Sequence, residues 1–547
     1  MNSVVIIIAS IFIFIIAYAT YGSFLYKKWG IDPSRPTPAH TREDGVDYCP
    51  AKPQILLGHH FASIAGAGPI LGPIQAAVFG WVPVVLWILI GSIFFGGVHD
   101  MGSLFTSVRN DGHSIGEVVG NNMGKKGKTL FSWFAWLTLL LVVASFTSVC
   151  ASTFVSVPQA GTSSMLFILL AIVFGFAVYR RGAGLLISSI LGVVTLFFCI
   201  WLGMIFPLKL SYNAWVIVLL IYIAIASIVP VWILLQPRDY LNSFLLYAMM
   251  IGAVLGIIVF HPAIKLAPVT AFNLGNNNYL FPMLFVTVAC GAISGFHSLV
   301  GSGTTSKQLD NEKDIKLIGY GAMLIEGVLA VIAIITAAYL SAGDFTSLLK
   351  SSSPTNVFAT GCATFMNSFG IPLVTGKTFI SLAVSAFALT SLDTATRLGR
   401  FIFQEMFDNS KPEEGKPNTS PLTNKYVATL ITVVLGGALT FKGYAVIWPI
   451  FGSANQLLAA IALLSLAVYL RNQGKDNKMA IFPTIFMFAV TLSALVLLIK
   501  GKSANFGKNW LLITIAAVLF ILAIILIVEG VKALKRKVVT DNKNVKA

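Results

Sequence analysis

Apolar stretches of roughly twenty residues recur about fifteen times along this chain, and they constrain its fold more than any motif it carries. A helix rises about 1.5 Å per residue, so each stretch matches the ~30 Å hydrocarbon core of a bilayer. Of 547 residues, 56% are hydrophobic and only 11% charged, too few polar groups to coat a water-soluble core of that size. The expectation is an all-α polytopic membrane protein with about 15 transmembrane helices, whose first partner is the lipid bilayer.

The predicted spans run from 4 to 26, 55 to 79, 81 to 108, 128 to 156, 163 to 180, 183 to 206, 213 to 235 and 241 to 260. They continue at 279 to 302, 317 to 342, 376 to 399, 426 to 441, 447 to 470, 479 to 500 and 509 to 532. A net charge of +16 would suggest nucleic acid in a soluble protein, but here the basic residues sit in short loops, so no nucleic-acid partner is expected. With the N-terminus outside, the inner loops and the tail collect 29 of the 37 Lys and Arg residues. Among them are Lys27, Lys28, Lys125, Lys126, Arg180, Arg181, Arg397, Arg400 and the run Lys532, Lys535, Arg536 and Lys537. That asymmetry predicts a cytoplasmic C-terminus, with Lys500, Lys502 and Lys508 the least comfortable residues on the outer side.

Span 4 to 26 has no basic stretch before it and Lys27 and Lys28 after it, so it reads as a retained anchor rather than a signal peptide. Cys49, Cys150, Cys199, Cys290 and Cys362 show no C-x-x-C spacing, which suggests neither a disulfide framework nor a zinc site. No stretch is long and polar enough for a soluble domain. Function must then reside in the bundle.

One stretch, GHHFASIAGAGPILGP from Gly58 to Pro73, interrupts itself twice. An unpaired backbone group in lipid costs several kcal/mol, so Gly66, Ala67, Gly68, Pro69 and Gly72 are tolerable only against protein or a watery cavity. Shifted by 161 residues, Ile64 to Pro69 aligns with Ile225 to Pro230, Gln75 with Gln236, and Ile90-Gly91 with Ile251-Gly252. The two spans run in opposite directions by the charge map. Two broken helices in corresponding, antiparallel places point to an inverted-repeat transporter with a midplane site. The five-helix separation suggests a 5+5 core resembling the LeuT-type fold. Repeat one would cover 55–206 and repeat two 213–399. Residues 1–54 would add an N-terminal helix and cytoplasmic loop, 426–532 four C-terminal helices, and 533–547 a cytoplasmic tail. Two proline-kinked structural helices would read the same way.

Several polar groups lie at membrane depth. Ser294, Ser298 and Ser302 recur every four residues in CGAISGFHSLVGSGTTSKQL, a hydroxyl face suited either to Na⁺ or to close helix packing. In many LeuT-type transporters the corresponding core helix supplies hydroxyls to a sodium site. His297 in the same run suits proton exchange at neutral pH, or is a satisfied hydrogen-bonding residue. Glu326 and Asp393 are acids inside apolar runs, costly unless paired or protonated. Arg397, at i+4 from Asp393, is the local candidate to neutralise it. Glu326 has no local basic partner, which favours a protonated state or a distant partner such as His297. His59-His60 and His99-Asp100 are further candidates of the same kind as His297, or simply interfacial pairs; Arg238-Asp239 reads as an anchor at the cytosolic surface, and Asn455-Gln456 as glue between helices or a cap on a break after Gly452. No P-loop, H-E-x-x-H, G-x-S-x-G or dinucleotide fingerprint is present, so neither enzymatic activity nor a cofactor is expected.

Taken together, GHHFASIAGAGPILGP, GGVHDMGS, VRNDGHSIGE, QPRDYLNSF, CGAISGFHSLVGSGTTSKQL, TSLDTATRLGR and WPIFGSANQLLA resemble the carbon starvation CstA transporter family over about residues 1 to 470. The resemblance implies secondary-active uptake across the bacterial inner membrane. In this family some members carry peptides and others pyruvate with protons, often under carbon limitation.

The expected site lies between Gly66, Ala67, Gly68, Pro69 and Gly72 on one side and Ser227 and Pro230 on the other, with half-helix N-termini holding a carboxylate. Coupling is expected from H⁺ on His297, Glu326 or Asp393, which the family favours, or from Na⁺ at Ser294 and Ser298. A Na⁺-coupled symporter, a nutrient-sensing membrane protein and a channel are the alternatives. The sequence sets no oligomeric state.

Overall fold

Hydrocarbon leaves no solvent to pair backbone N–H and C=O groups, and the chain answers by pairing them within helices. The computed structural model describes residues 2–45, 47–275, 277–351, 353–408, 420–441, 444–503 and 505–536. The described residues form helices joined by short loops, with isolated bridges in place of any strand. The predicted tail lies outside them from 537 onward, Lys537 included, as do 409–419 of the predicted inner loop at 400 to 425.

In chain order the long helices are α1 (Ser3–Trp29), the pair α2 (Pro53–Ile64) and α3 (Gly68–Phe79), α4 (Trp81–Arg109), α5 (Lys125–Ser156), α6 (Pro158–Val178) and α7 (Leu186–Ile205). Next come α8 (Tyr212–Ile228) and α9 (Leu235–Phe260), then three short pieces, α10 (Leu280–Thr287), α11 (Ala289–Ala292) and α12 (Gly295–Gly303). The rest are α13 (Glu312–Ala338), α14 (Leu373–Phe407), α15 (Lys425–Thr440), α16 (Ile447–Asn472), α17 (Lys478–Ser503) and α18 (Asn509–Lys535). Eleven of these are long and apolar enough to cross a membrane, and twelve when the α2–α3 pair, bent by 44°, counts as one span. The chain is thus an all-helical, multi-pass membrane protein.

Three predicted spans differ from single long helices. Residues 213–235 form only α8, which stops at Ile228, and 426–441 form the short α15. Residues 279–302 are interrupted twice, at Val288 (φ −76°, ψ 3°) between α10 and α11, and between α11 and α12, where Ile293 (φ −162°, ψ 135°) and Ser294 (φ −136°, ψ 126°) are extended. Conversely, α9 begins at Leu235 rather than 241, which draws Arg238 and Asp239 into the bundle, both buried. Each has charged partners there, which offsets the desolvation that would otherwise hold them at the surface.

Helix α5 packs on α14, α15 and α16 at the centre, and α16 is buried along its length. Helices α7 and α18 lie at the rim and expose Leu186, Ile187, Val194, Ile521 and Val528, the pattern of lipid-facing surface. The α2–α3 pair sits among α9, α11, α13 and α14. Where α3 crosses the 287–292 segment, two glycines permit the approach: a Cβ on Gly68 would run into Cys290 Sγ, and one on Gly72 would lie 2.5 Å from the Thr287 carbonyl and 3.1 Å from Val288 Cα.

The loops sort by side as the charge map groups them. On the face assigned to the inside, Lys28 pairs with Asp476 (3.8 Å), Arg42 with Asp111 (2.9 Å) and Lys126 with Glu529 (3.7 Å), while Arg109 donates to the Gly30 carbonyl (2.9 Å). At the opposite face the Ser3 N–H donates to Pro262 (3.3 Å) and the Lys265 N–H to Ala338 (2.8 Å).

Candidate functional site

Both interruptions are built by the residues around them. Helix α2 ends at Ile64; Ala65 turns out of helical geometry (ψ 48°), and α3 restarts with Pro69 in its first turn, where a missing N–H costs nothing. Ser391 Oγ on α14 donates to the Ser63 carbonyl (3.0 Å), satisfying an acceptor that the break releases. At the second break the cap comes from another helix. Asn455 Oδ1 on α16 accepts from the Phe296 N–H (2.8 Å) and its Nδ2 donates to Ser294 Oγ (3.0 Å). Asn455 thus bonds across helices, one of its two sequence readings, while the other falls: the break it caps is in 280–303, and α16 runs unbroken through Gly452. Gln456 likewise crosses, donating to the Phe285 carbonyl (2.5 Å).

Beside these breaks lies a row of buried titratable groups. His297 Nδ1 is 2.8 Å from Asp100 Oδ2, and His99 Nδ1 is 2.6 Å from Asp100 Oδ1. A carboxylate only accepts, so an ionised Asp100 fixes the proton of each ring on Nδ1. His297 then turns Nε2 toward Glu326 Oε2, 3.4 Å away, and neither Glu326 oxygen has any hydrogen-bond donor among the described residues. All four side chains are buried. A neutral His297 offers Glu326 a lone pair, which suits the acid form; a cationic His297 offers N–H, which suits the carboxylate. The pair is complete with one shared proton. On α2, His60 Nδ1 bonds Thr305 Oγ1 at 2.8 Å.

A second buried cluster adjoins through His59. Its Nδ1 lies 3.0 Å from Asp239 Oδ2, to which Ser63 Oγ also donates (3.4 Å). Arg238 reaches Asp239 (2.9 Å), Asp393 and Tyr222 Oη, and Tyr222 donates to Asp393 (2.5 Å). Asp393 is therefore neutralised by Arg238 from α9, not by Arg397. Arg397 instead donates to the Ala226 (3.0 Å) and Val229 carbonyls at the end of α8. A helix terminus carries partial negative charge and open acceptors, and it takes the guanidinium that the i+4 rule had assigned to Asp393.

Of the substrate-site candidates, Gly66, Ala67, Gly68, Pro69 and Gly72 all lie buried at the first break. Ser227 and Pro230 belong to the end of α8, where Ser227 Oγ meets Thr429 on α15 (3.3 Å) and Pro230 is exposed. Among the ion-coupling candidates, His297 and Glu326 come together, while Asp393 joins the separate arginine cluster. Ser294 and Ser298 do not stack on one helix face. Ser294 is extended and bonded to Asn455, and Ser298 donates to the Gly295 carbonyl (2.7 Å) within α12. Among the described residues no group of three or more His, Cys, Asp or Glu has metal-binding geometry.

His59, His60, His99, Asp100, Arg238 and Asp239 are buried rather than at the membrane surface, and sequence reasoning passed over Tyr222. For Arg238 and Asp239 the available signal was that the pair follows Pro237 with apolar residues on both sides.

The sequence matches the family model described as Carbon starvation protein CstA over residues 2–353 and 346–494. It is similar to the peptide transporter CstA of Helicobacter pylori, 33% identical over 93% of this chain and 84% of that one. The peptide transporter CstA of Bacillus subtilis is 30% identical over 97% of each chain. The pyruvate/proton symporter BtsT of Escherichia coli is 30% identical over 90% of this chain and 81% of that one. Among solved structures, a manganese transporter of Eremococcus coleocola superposes with a TM-score of 0.48 at 12% identity, over 88% of this chain and 94% of that one.

Proposed function

Because this chain belongs to the carbon starvation CstA family, we propose that it is a secondary-active transporter importing pyruvate, another small carboxylate or short peptides across the cell inner membrane by H⁺ symport. The observation that carries the coupling is the His297–Glu326 contact at 3.4 Å, buried beside two broken helices, with both Glu326 oxygens otherwise unpaired. A carboxylic acid kept at membrane depth with one proton-sharing partner is the arrangement from which proton relays are built.

In this reading the substrate carboxylate binds at Gly66 to Gly72, where the N-terminus of α3 presents the positive end of its dipole. Proton and substrate load from the outer side, and rocking of two halves, residues 55–206 and 213–399, exposes them to the cytoplasm. That motion assumes a LeuT-type 5+5 core and fifteen membrane segments, counting α8, α15 and the interrupted 280–303 stretch. It also assumes an outer N-terminus and a cytoplasmic C-terminus, which the basic loops support.

Proteoliposomes test it. Labelled pyruvate uptake, competed with di- and tripeptides, is expected to follow the proton gradient and to ignore Na⁺; uptake that survives a collapsed proton gradient but stops without Na⁺ replaces the coupling ion. Glu326→Gln is expected to lower gradient-driven accumulation by about 5- to 150-fold, the span of a site–site coupling of about 1–3 kcal/mol, while counterflow exchange continues. Equal accumulation by wild type and variant would remove Glu326 from the coupling. Ion conductance without saturable uptake would make the chain a channel.

A further inference from the structure

A cavity of about 660 Å³ opens on the face that carries the basic loops, walled by Cys49, Lys52, Ile55, Arg180, Trp232 and Gln236. It lies between the loop entering α2, the end of α6 and the turn that joins α8 to α9. Lys52 and Arg180 supply the cations of its wall, with the Arg180 guanidinium over the Trp232 ring 5.1 Å from its centroid, while the acids Glu43, Asp44 and Asp47 act at its Cys49 end, so the anion-binding part is the Lys52–Arg180 side. That volume falls within the ~300–1,000 Å³ of small-molecule pockets, large enough for a short peptide as well as a keto acid.

The cavity's inner end adjoins the buried ionic cluster. Ile55 and His59 share a face of α2 one turn apart, and Gln236 and Asp239 likewise share a face of α9. One turn beyond the wall, then, His59 meets Asp239, which Arg238 ties to Asp393. On the far side of His59 the same helix reaches its break at Ala65.

We propose that this cavity is a carboxylate-binding vestibule, the mouth through which substrate leaves the first break on the basic side, and that the His59–Asp239–Arg238–Asp393 cluster is its inner barrier. The inference rests on the transport reading above and adds a second anion site distinct from Gly66 to Gly72.

Cys49 reports on it without engineering, because it is partly exposed while Cys150, Cys199, Cys290 and Cys362 are buried. Burial, with help from Asp44, Glu43 and Asp47, raises the Cys49 thiol above its usual range. Since only the thiolate reacts, alkylation is expected to be slower than for a free thiol at neutral pH and to accelerate as the pH rises.

The experiment uses the intact protein in sided membrane vesicles and a membrane-impermeant maleimide, with Cys49→Ser as the labelling blank. Label is expected only from the basic side. Whichever of pyruvate and trialanine is transported should slow labelling about tenfold at ten times its Kd, following site occupancy. Arg180→Gln should weaken that protection and reduce its dependence on salt. Label from the opposite face only, or uptake with no protection at saturating substrate, overturns the vestibule and leaves the transport reading standing. Neither uptake nor protection by any pyruvate or peptide probe overturns both.

Discussion

Arg238 is buried with two carboxylates, Asp239 and Asp393, and the Tyr222 hydroxyl around its guanidinium. Removing one partner from such a set strands charge in low dielectric and costs about 3–5 kcal/mol, whereas replacing the pair by apolar groups is often near neutral. Arg238→Met is therefore expected to lower thermal stability in detergent by that amount, and Arg238→Met with Asp393→Leu to recover most of it. A single variant as stable as wild type would show that the cluster is not held as an ion pair. Asp393→Asn addresses a different question. If it leaves counterflow and proton-coupled uptake both unchanged, Asp393 is structural. Glu326 and Asp393 were legible in the sequence because an acid in an apolar run is costly wherever it lies. Their partners were only half legible: His297 was named for Glu326, but Arg238 lies 155 residues from Asp393 and no local spacing points to it.

At the scale of elements, glycine and proline density made the first break readable, and the second was missed. CGAISG reads as a small-residue helix face, yet Ile293 and Ser294 are extended because Asn455, from a helix 159 residues away, caps the restart at Phe296. The two interrupted segments cross at Gly72, where a Cβ would press on the Thr287 carbonyl and Val288 Cα, backbone atoms that cannot rotate aside. Gly72→Ala is expected to cost about 1–3 kcal/mol through overpacking and to reduce uptake while membrane insertion is preserved. Wild-type stability and uptake in that variant would mean that the crossing is looser than the geometry indicates. The offset between 64–69 and 225–230 marks two helix ends. The observed partner of the α3 half-helix is nonetheless the 287–292 segment, because close approach needs small residues on both faces.

Over the whole molecule, the loops that the charge map groups together do meet one another, and this sorting yields a prediction of orientation. An impermeant thiol reagent applied outside intact cells is expected to label a cysteine placed at exposed Ser503 and to spare one at exposed Gln473. The reverse pattern would invert the assigned topology, with Lys500 and Lys502 as the reason. The bilayer as solvent, the helical class, the first break, the grouping of loops by side and the family were all written in the chain itself. They follow from composition, run length and local motifs, which are read along one dimension. Which charge neutralises which, where the second helix interrupts itself and where a cavity opens beneath Cys49 were decided only by the fold. Those features depend on which helix faces meet, and burial makes a pairing between distant residues obligatory without indicating in the sequence who the partner is.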